Sequence, residues 1–390
     1  MGNKVDLKKY VCRAPFEDFM VFHKSTWFCC PDWMDIPFDQ WSHLEEGKTG
    51  DLKSVWFNDI NQKVREGVLD GSYRYCSKTK CPYLSKLINT DEKVMLNEFA
   101  SDSGKSVYFG YFYKRDEFFK KYNLNEEDKE WKLFPRLIYF NFDYACNLKC
   151  PSCRLDTIPN RKDKFVDGIL KDINDQFSGD VEVIHMTGSG DPFYSNVFRT
   201  FMQTFDKRRY PKLKSIYLVS NGNMWTKEMW ESVKAIHPYV YEYEISIDAA
   251  TKETYENKVR LNGHWDTLME NLKYHSTLKF INRNFSFVVQ DHNVHEMTQF
   301  VKMIESIYDY KTSPYTITFR AIQDWNHQTK EWIKERAVQE IDHPLHNVLL
   351  EQLKQIGNKK YVIHNFWHLL DTDIETEPTP EIVKTKKTLI

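Results

Sequence analysis

Eight cysteines carry the most distinctive chemistry open to this chain: Cys12, Cys29, Cys30, Cys76, Cys81, Cys146, Cys150 and Cys153. Three of them form the run Cys146-Asn-Leu-Lys-Cys150-Pro-Ser-Cys153, a C-x3-C-x2-C spacing, and the other five precede residue 82. Three thiolates on one short loop leave a four-coordinate zinc one ligand short. They leave a four-iron cluster, which ordinarily takes four cysteines, with one iron open to an outside ligand. A zinc site completed by a distant His or Cys is the competing use of the same loop. Disulfides are not expected, because residues 1–9 are polar and charged rather than a secretion signal, and clustered thiols in a reducing cytoplasm point to metal or redox chemistry.

Composition narrows the class. The 54 Lys and Arg nearly balance 56 Asp and Glu, for a net charge of −2, so nothing in the total charge calls for a nucleic-acid partner. Hydrophobic residues at 41% in 390 positions supply a core for one large domain or two ordinary ones. No apolar run approaches the roughly 18 residues of a membrane span. The expected location is cytoplasmic, with no membrane contact.

The elements that must position the cysteine loop follow from hydrophobic periodicity. Strands are expected over 136–143, 181–186, 215–219, 239–247, 285–289 and 315–322. Helices are expected over 164–177, 195–205, after the cap Thr226, and near 265–274. Asn293 with Glu296 reads as an N-terminal capping pair before Phe300, Val301 and Ile304. Six strand–helix alternations argue for an α/β fold with a parallel sheet, a partial (β/α)6 TIM-like barrel. Residues 10–84 read as irregular, with one helix around 58–69, and 371–387 as a mobile tail. The expected domains are 1–84, a connecting segment 85–133, a core 134–330, and a C-terminal helical extension with its tail, 331–390.

Further polar segments follow the strands: Thr187-Gly188-Ser189-Gly190-Asp191-Pro192, Ser220-Asn221-Gly222, and Ser246-Ile247-Asp248 leading to Thr251, Glu256 and Arg260. With the cysteine run, this ordered set resembles the radical S-adenosylmethionine (SAM) superfamily over residues 136 to about 325. The resemblance implies that Cys146, Cys150 and Cys153 hold three irons of a [4Fe-4S] cluster and that SAM chelates the fourth. Reductive cleavage would then yield a 5′-deoxyadenosyl radical that takes hydrogen from a substrate. It implies SAM contacts from the backbone of Gly188, Ser189 and Gly190, and from Asp191, Ser220, Asn221, Ser246, Asp248 and Arg260. Arg260 would serve the SAM carboxylate. Gln290 and Asn293 are candidates for the adenine or ribose, although Asn293 also reads as the helix cap. Ser152 stands where that superfamily commonly has an aromatic residue.

The N-terminal succession Cys12, Cys29-Cys30, Trp56, Arg65, Gly71, Cys76 and Cys81 resembles the SPASM and twitch auxiliary iron–sulfur modules. Here it precedes the radical domain, whereas in most relatives it follows. The implied ligands of an auxiliary [4Fe-4S] cluster are Cys12, Cys29, Cys76 and Cys81. Cys29 and Cys30 are not separable by sequence, and a four-thiolate zinc site would use the same residues. The resemblance implies a peptide or protein side chain as substrate. A small sugar or nucleotide derivative, and a catalytically silent iron–sulfur protein, are the alternatives. A flavodoxin or ferredoxin would donate electrons. No catalytic acid, base or hydrogen donor can be named from the sequence.

Overall fold

The computed structural model describes residues 5–30, 33–36, 51–89, 111–125, 132–324 and 328–366. The expected tail 371–387 and most of the connecting segment lie outside the described residues. The chain divides into two compact units, one taking in 1–144, 161–190 and 200–216, the other 145–160, 191–199 and 217–390. No helix among the described residues is long and apolar enough to cross a membrane.

In the first unit, strands β2 (Asp18–Phe22), β5 (Leu137–Asn141) and β6 (Val183–Met186) pair in parallel, and β3 (Thr26–Trp27) closes antiparallel on β2. A separate pair joins β1 (Tyr10–Cys12) to β4 (Phe112–Lys114). Alternation along the strands splits the faces. Phe19 meets Trp56 at 5.0 Å and Phe177 at 5.4 Å, and Phe140 meets Phe201 at 5.2 Å. The other face carries Asp18, Tyr139 and His185, the two rings 4.6 Å apart. The helix Asp59–Leu69 starts where the Asn58 side chain accepts from the Asn61 N–H, and it buries Val64, Arg65 and Val68. Arg65 donates to the carbonyls of Pro15 and Trp56 and lies 4.5 Å from the Trp56 ring, so the helix is locked from its buried face.

The second unit holds a parallel run in the order β7 (Ser215–Ser220, from Tyr217 on), β8 (Glu242–Ser246), β9 (Asn282–Val289), β10 (Thr316–Ala321) and β11 (Val362–His364). Leu218, Tyr243, Ile245, Phe285, Phe287, Ile317 and Phe319 point one way and are fully buried. Helices Trp265–Ser276 and Met297–Ile307 supply partners, with Phe287 and Phe300 5.0 Å apart. The opposite face is polar. Arg320 grips Glu244 with two bonds of 2.9 Å, Asn284 donates to Glu244 at 2.7 Å, and Thr318 donates to Asn284 at 2.8 Å.

The strand–helix alternation expected from 136 onward is present, with boundaries shifted by a few residues. Five strands escaped the sequence reading, among them β1 in the stretch read as irregular and β4 in the connecting segment. β2 and β3 lie in the stretch read as irregular, and β11 lies in the extension read as helical. The capping pair also resolves differently. Asn293 begins a short 3-10 turn without a side-chain cap bond. Its Oδ1 instead accepts from the Gln290 N–H, and its Nδ2 donates to the carbonyls of Asp248 and Val288.

Candidate functional site

The cysteine loop is a tight turn. The N–H groups of Cys153 and Arg154 both donate to the Cys150 carbonyl at 2.9 Å. The loop is tied outward by Cys146 N–H to the Ile158 carbonyl and by Lys149 N–H to the Leu261 carbonyl, each 2.9 Å. Leu148 fills the turn, Cys146 and Cys150 are buried, and Cys153 packs against them half-buried.

Each of the three sulfurs accepts a side-chain N–H. Asn221 Nδ2 lies 3.7 Å from Cys146 Sγ, Arg260 Nη1 3.4 Å from Cys150 Sγ, and Arg154 Nη2 3.4 Å from Cys153 Sγ. Burial, with nearby Asp191, pushes the Cys146 thiol up to about 12. Burial also raises Cys150, against the pull of Arg260. Buried thiols facing donors and cations are groups that gain by giving a proton up to a metal.

Asp191 ties the loops beside these thiols together. One carboxylate oxygen accepts from the N–H groups of Phe193 and Tyr194, and the other from Ser220 Oγ at 2.8 Å and Asn221 N–H at 2.9 Å. Burial raises its pKa, opposed by those donors. Asn221 also donates to Asn147 Oδ1 at 2.9 Å, across to the cysteine loop. The loop turns at Gly222, whose φ is +77°, and an added Cβ would sit 2.8 Å from Leu268 Cδ1.

Asp248 follows β8 with φ +62°, in the left-handed region where Asp is among the few tolerated side chains. Its carboxylate accepts from the Val288 N–H and pairs with Arg260 Nη2 at 2.7 Å. Burial raises Asp248, against the pull of Arg260. Arg260 is thereby shared between Asp248 and Cys150, and its buried Nε has no partner among the described residues. Ser246 Oγ lies 3.0 Å from Ser286 Oγ. Gln290 is buried and Asn293 is committed to its local bonds.

Gly188, Ser189 and Gly190 lie in the first unit. Their N–H groups are already bonded, the first to Asn141 Oδ1 at the end of β5 and the others to Thr187 Oγ1 within the loop.

Also in the first unit, Cys12, Cys29, Cys76 and Cys81 line one cavity of about 460 Å³, its open mouth included. Phe28, Tyr73, Tyr83 and Leu84 share the lining, and Cys30 does not contribute to it. Burial, then the neighbouring thiols, raises Cys12 and Cys29 well above the ordinary thiol value, and burial and Cys81 bring Cys76 to about 12. As they stand, among the described residues no three His, Cys, Asp or Glu side chains are gathered tightly enough to hold a metal ion. A multi-iron cluster makes a different demand from a single ion, because each thiolate binds its own iron.

Arg154 and Glu296 were missed from the sequence. Arg154 directly follows the last cysteine, and a cation beside thiolates was the available signal. Glu296 accepts from the N–H groups of Ala250 and Thr251 and from the hydroxyls of Thr251 and Thr254, a role its capping-pair spacing concealed.

No family model matches this chain, and no curated protein matches it in sequence. Among solved structures it is similar to BtrN in complex with AdoMet and 2-DOIA, at 16% identity and TM-score 0.22, covering 30% of this chain and 46% of that one. It is similar to native anSMEcpe with bound AdoMet, at 16% identity and TM-score 0.35, covering 58% of this chain and 63% of that one. With AdoMet and the Cp18Cys peptide bound, the figures for anSMEcpe are 18%, 0.35, 58% and 62%. The match thus spans less than two thirds of each of those chains.

Proposed function

We propose that this chain is a radical SAM enzyme whose cluster is held by Cys146, Cys150 and Cys153. The reading rests on one observation: three thiols on a single loop, each met by a side-chain N–H donor. The donor set fits a thiolate-ligated cluster with one open iron position. When bound, such a cluster with SAM supplies reductive cleavage to a 5′-deoxyadenosyl radical, which takes a hydrogen atom from substrate.

The residues around the thiols have separate tasks. Asp191 fixes the Ser220–Asn221 loop, and Asn221 in turn faces Cys146. Arg260 orients Asp248 and Cys150, and its unpartnered Nε is the atom left to meet a carboxylate. Ser246 offers a hydroxyl at the end of β8. Gly188, Ser189 and Gly190 keep the role of a backbone cradle for the SAM amino group on their motif, their carbonyls being the acceptors an ammonium needs. A partial barrel is the fold that goes with this reading.

The same proposal assigns Cys12, Cys29, Cys76 and Cys81 to an auxiliary cluster, on the ground that these four line one cavity. With every position taken by cysteine, such a cluster serves electron transfer or structure and not substrate ligation. The proposed substrate is a peptide or protein side chain, and the proposed electron donor a flavodoxin or ferredoxin in the cytoplasm. Replacing Cys146, Cys150 and Cys153 together by Ala is expected to abolish reductive SAM cleavage while leaving the N-terminal metal. Reductive cleavage surviving in that variant contradicts the assignment.

A further inference from the structure

Arg65, in the first unit, is a buried cation without a carboxylate. It is 1% exposed, and among the described residues no acidic side chain faces it. Its Nε donates to the Pro15 carbonyl at 2.7 Å and its Nη2 to the Trp56 carbonyl at 3.0 Å. Its Nη1 has no hydrogen-bond partner among the described residues. The Trp56 ring lies 4.5 Å away. Carbonyls and a ring hold the guanidinium in place, but none carries a negative charge, and burial alone brings the Arg65 pKa down to about 9. A buried charge left in that state is costly unless an anion offsets it.

The four-thiol cavity has the opposite surplus. Cys12, Cys29, Cys76 and Cys81 share its lining with Pro15, Val64 and Val68. Val64 and Val68 stand beside Arg65 on one helix, and Pro15 is the residue whose carbonyl Arg65 holds. Arg65 is therefore joined to the cavity wall from two elements. Four thiolates on an iron–sulfur core leave a net charge of about −2, and about −3 after reduction. Of the other cations nearby, Arg13 faces Glu17 and Asp18, and Lys78, which faces Cys76, is exposed to screening solvent. Resting on the assignment of an auxiliary cluster to these four thiols, we propose that Arg65 is the counter-charge of that centre and raises its reduction potential through the cavity wall. The physical reason is general. Reduction adds negative charge, a cation stabilises the reduced form, and a buried cation acts at longer range than a solvated one. Arg65 is a positioning residue here, not a ligand.

The experiment separates charge from the two carbonyl bonds. The full chain is reconstituted anaerobically with Cys146, Cys150 and Cys153 replaced by Ala, so that only the auxiliary cluster is left to report. Its midpoint is read by redox titration followed by electron paramagnetic resonance. Arg65→Met removes charge and donors. Arg65→Gln removes the charge but keeps an N–H for the Pro15 carbonyl, and it carries the comparison should the Met variant not fold. Arg65→Lys keeps the charge but cannot reproduce both carbonyl bonds. Expected at a fixed solution potential near the parent midpoint is a roughly tenfold lower reduced-to-oxidised ratio in Arg65→Met, equal to 59 mV for one electron. Arg65→Gln is expected to shift the same way, and Arg65→Lys to stay near the parent value. Loaded neutral variants with an unchanged midpoint overturn the proposal, as does a Lys variant shifted as far as the Gln variant. A parent protein with Arg65 intact that takes up no iron–sulfur cluster overturns the auxiliary-cluster reading, and the proposal with it.

Discussion

Asp18 is a carboxylate whose burial is poorly compensated. It is 1% exposed, its Oδ1 has no hydrogen-bond partner among the described residues, and Arg13 reaches it only at 3.8 Å. Burial, Arg13 pulling down and Glu17 pushing up leave its pKa at about 7, with Tyr139, Tyr111 and Tyr83 also facing its charge. The folded pKa exceeds the unfolded one, so its stabilising contribution is full below about pH 4 and is lost as pH rises through about 7. Three pKa units correspond to an upper value of roughly 4 kcal/mol. Asp18→Asn is therefore expected to gain stability over wild type at pH 8 and to lose that gain by pH 4, read by denaturant titration at both values. An equal difference at both contradicts the assignment. Asp191 is the reverse case, a buried carboxylate with four donors. Asp191→Ala strands those donors, and a loss of roughly 3 kcal/mol is expected in thermal unfolding. A loss below about 1 kcal/mol would show that the loops hold without it.

At the scale of elements, the turn after β8 depends on one distant carboxylate. Glu296 gathers two N–H groups and two hydroxyls from residues 250–254. Glu296→Ala is expected to speed amide exchange at Ala250 and Thr251 by tenfold or more while leaving β9 and β10 protected, measured by hydrogen–deuterium exchange. Uniform exchange across the second unit would mean that the carboxylate holds the whole fold instead. This contact also marks where sequence reading stops. Strands such as Ser215–Ser220 and Asn282–Val289, and helices such as Lys164–Gln176, were legible because each has one apolar face and a matching period. The Thr226 cap was legible because its bond to the Met229 N–H is local. Glu296 was not, because its partners lie more than 40 residues away and the nearby Asn offered a plausible local alternative. β2 was hidden in an aromatic, cysteine-rich stretch, and the three-residue β11 is too short to show a period. The cysteine loop stood out by spacing alone, whereas the donors that face it come from Arg154, Asn221 and Arg260, which only folding brings together.

At the scale of the molecule, the eight cysteines fall into two sets, three on the loop of the second unit and five in the first, of which four share a cavity. Each set is proposed to hold one cluster. The most direct measurement is made anaerobically on reconstituted wild-type protein. Iron, sulfide and zinc are counted, dithionite and SAM are added, and 5′-deoxyadenosine is sought by mass spectrometry. Two clusters are expected, about eight irons at four per cluster, with no stoichiometric zinc, and 5′-deoxyadenosine that disappears when Cys146, Cys150 and Cys153 are replaced. Zinc in place of iron on the loop, or 5′-deoxyadenosine formed without those three cysteines, would contradict this assignment.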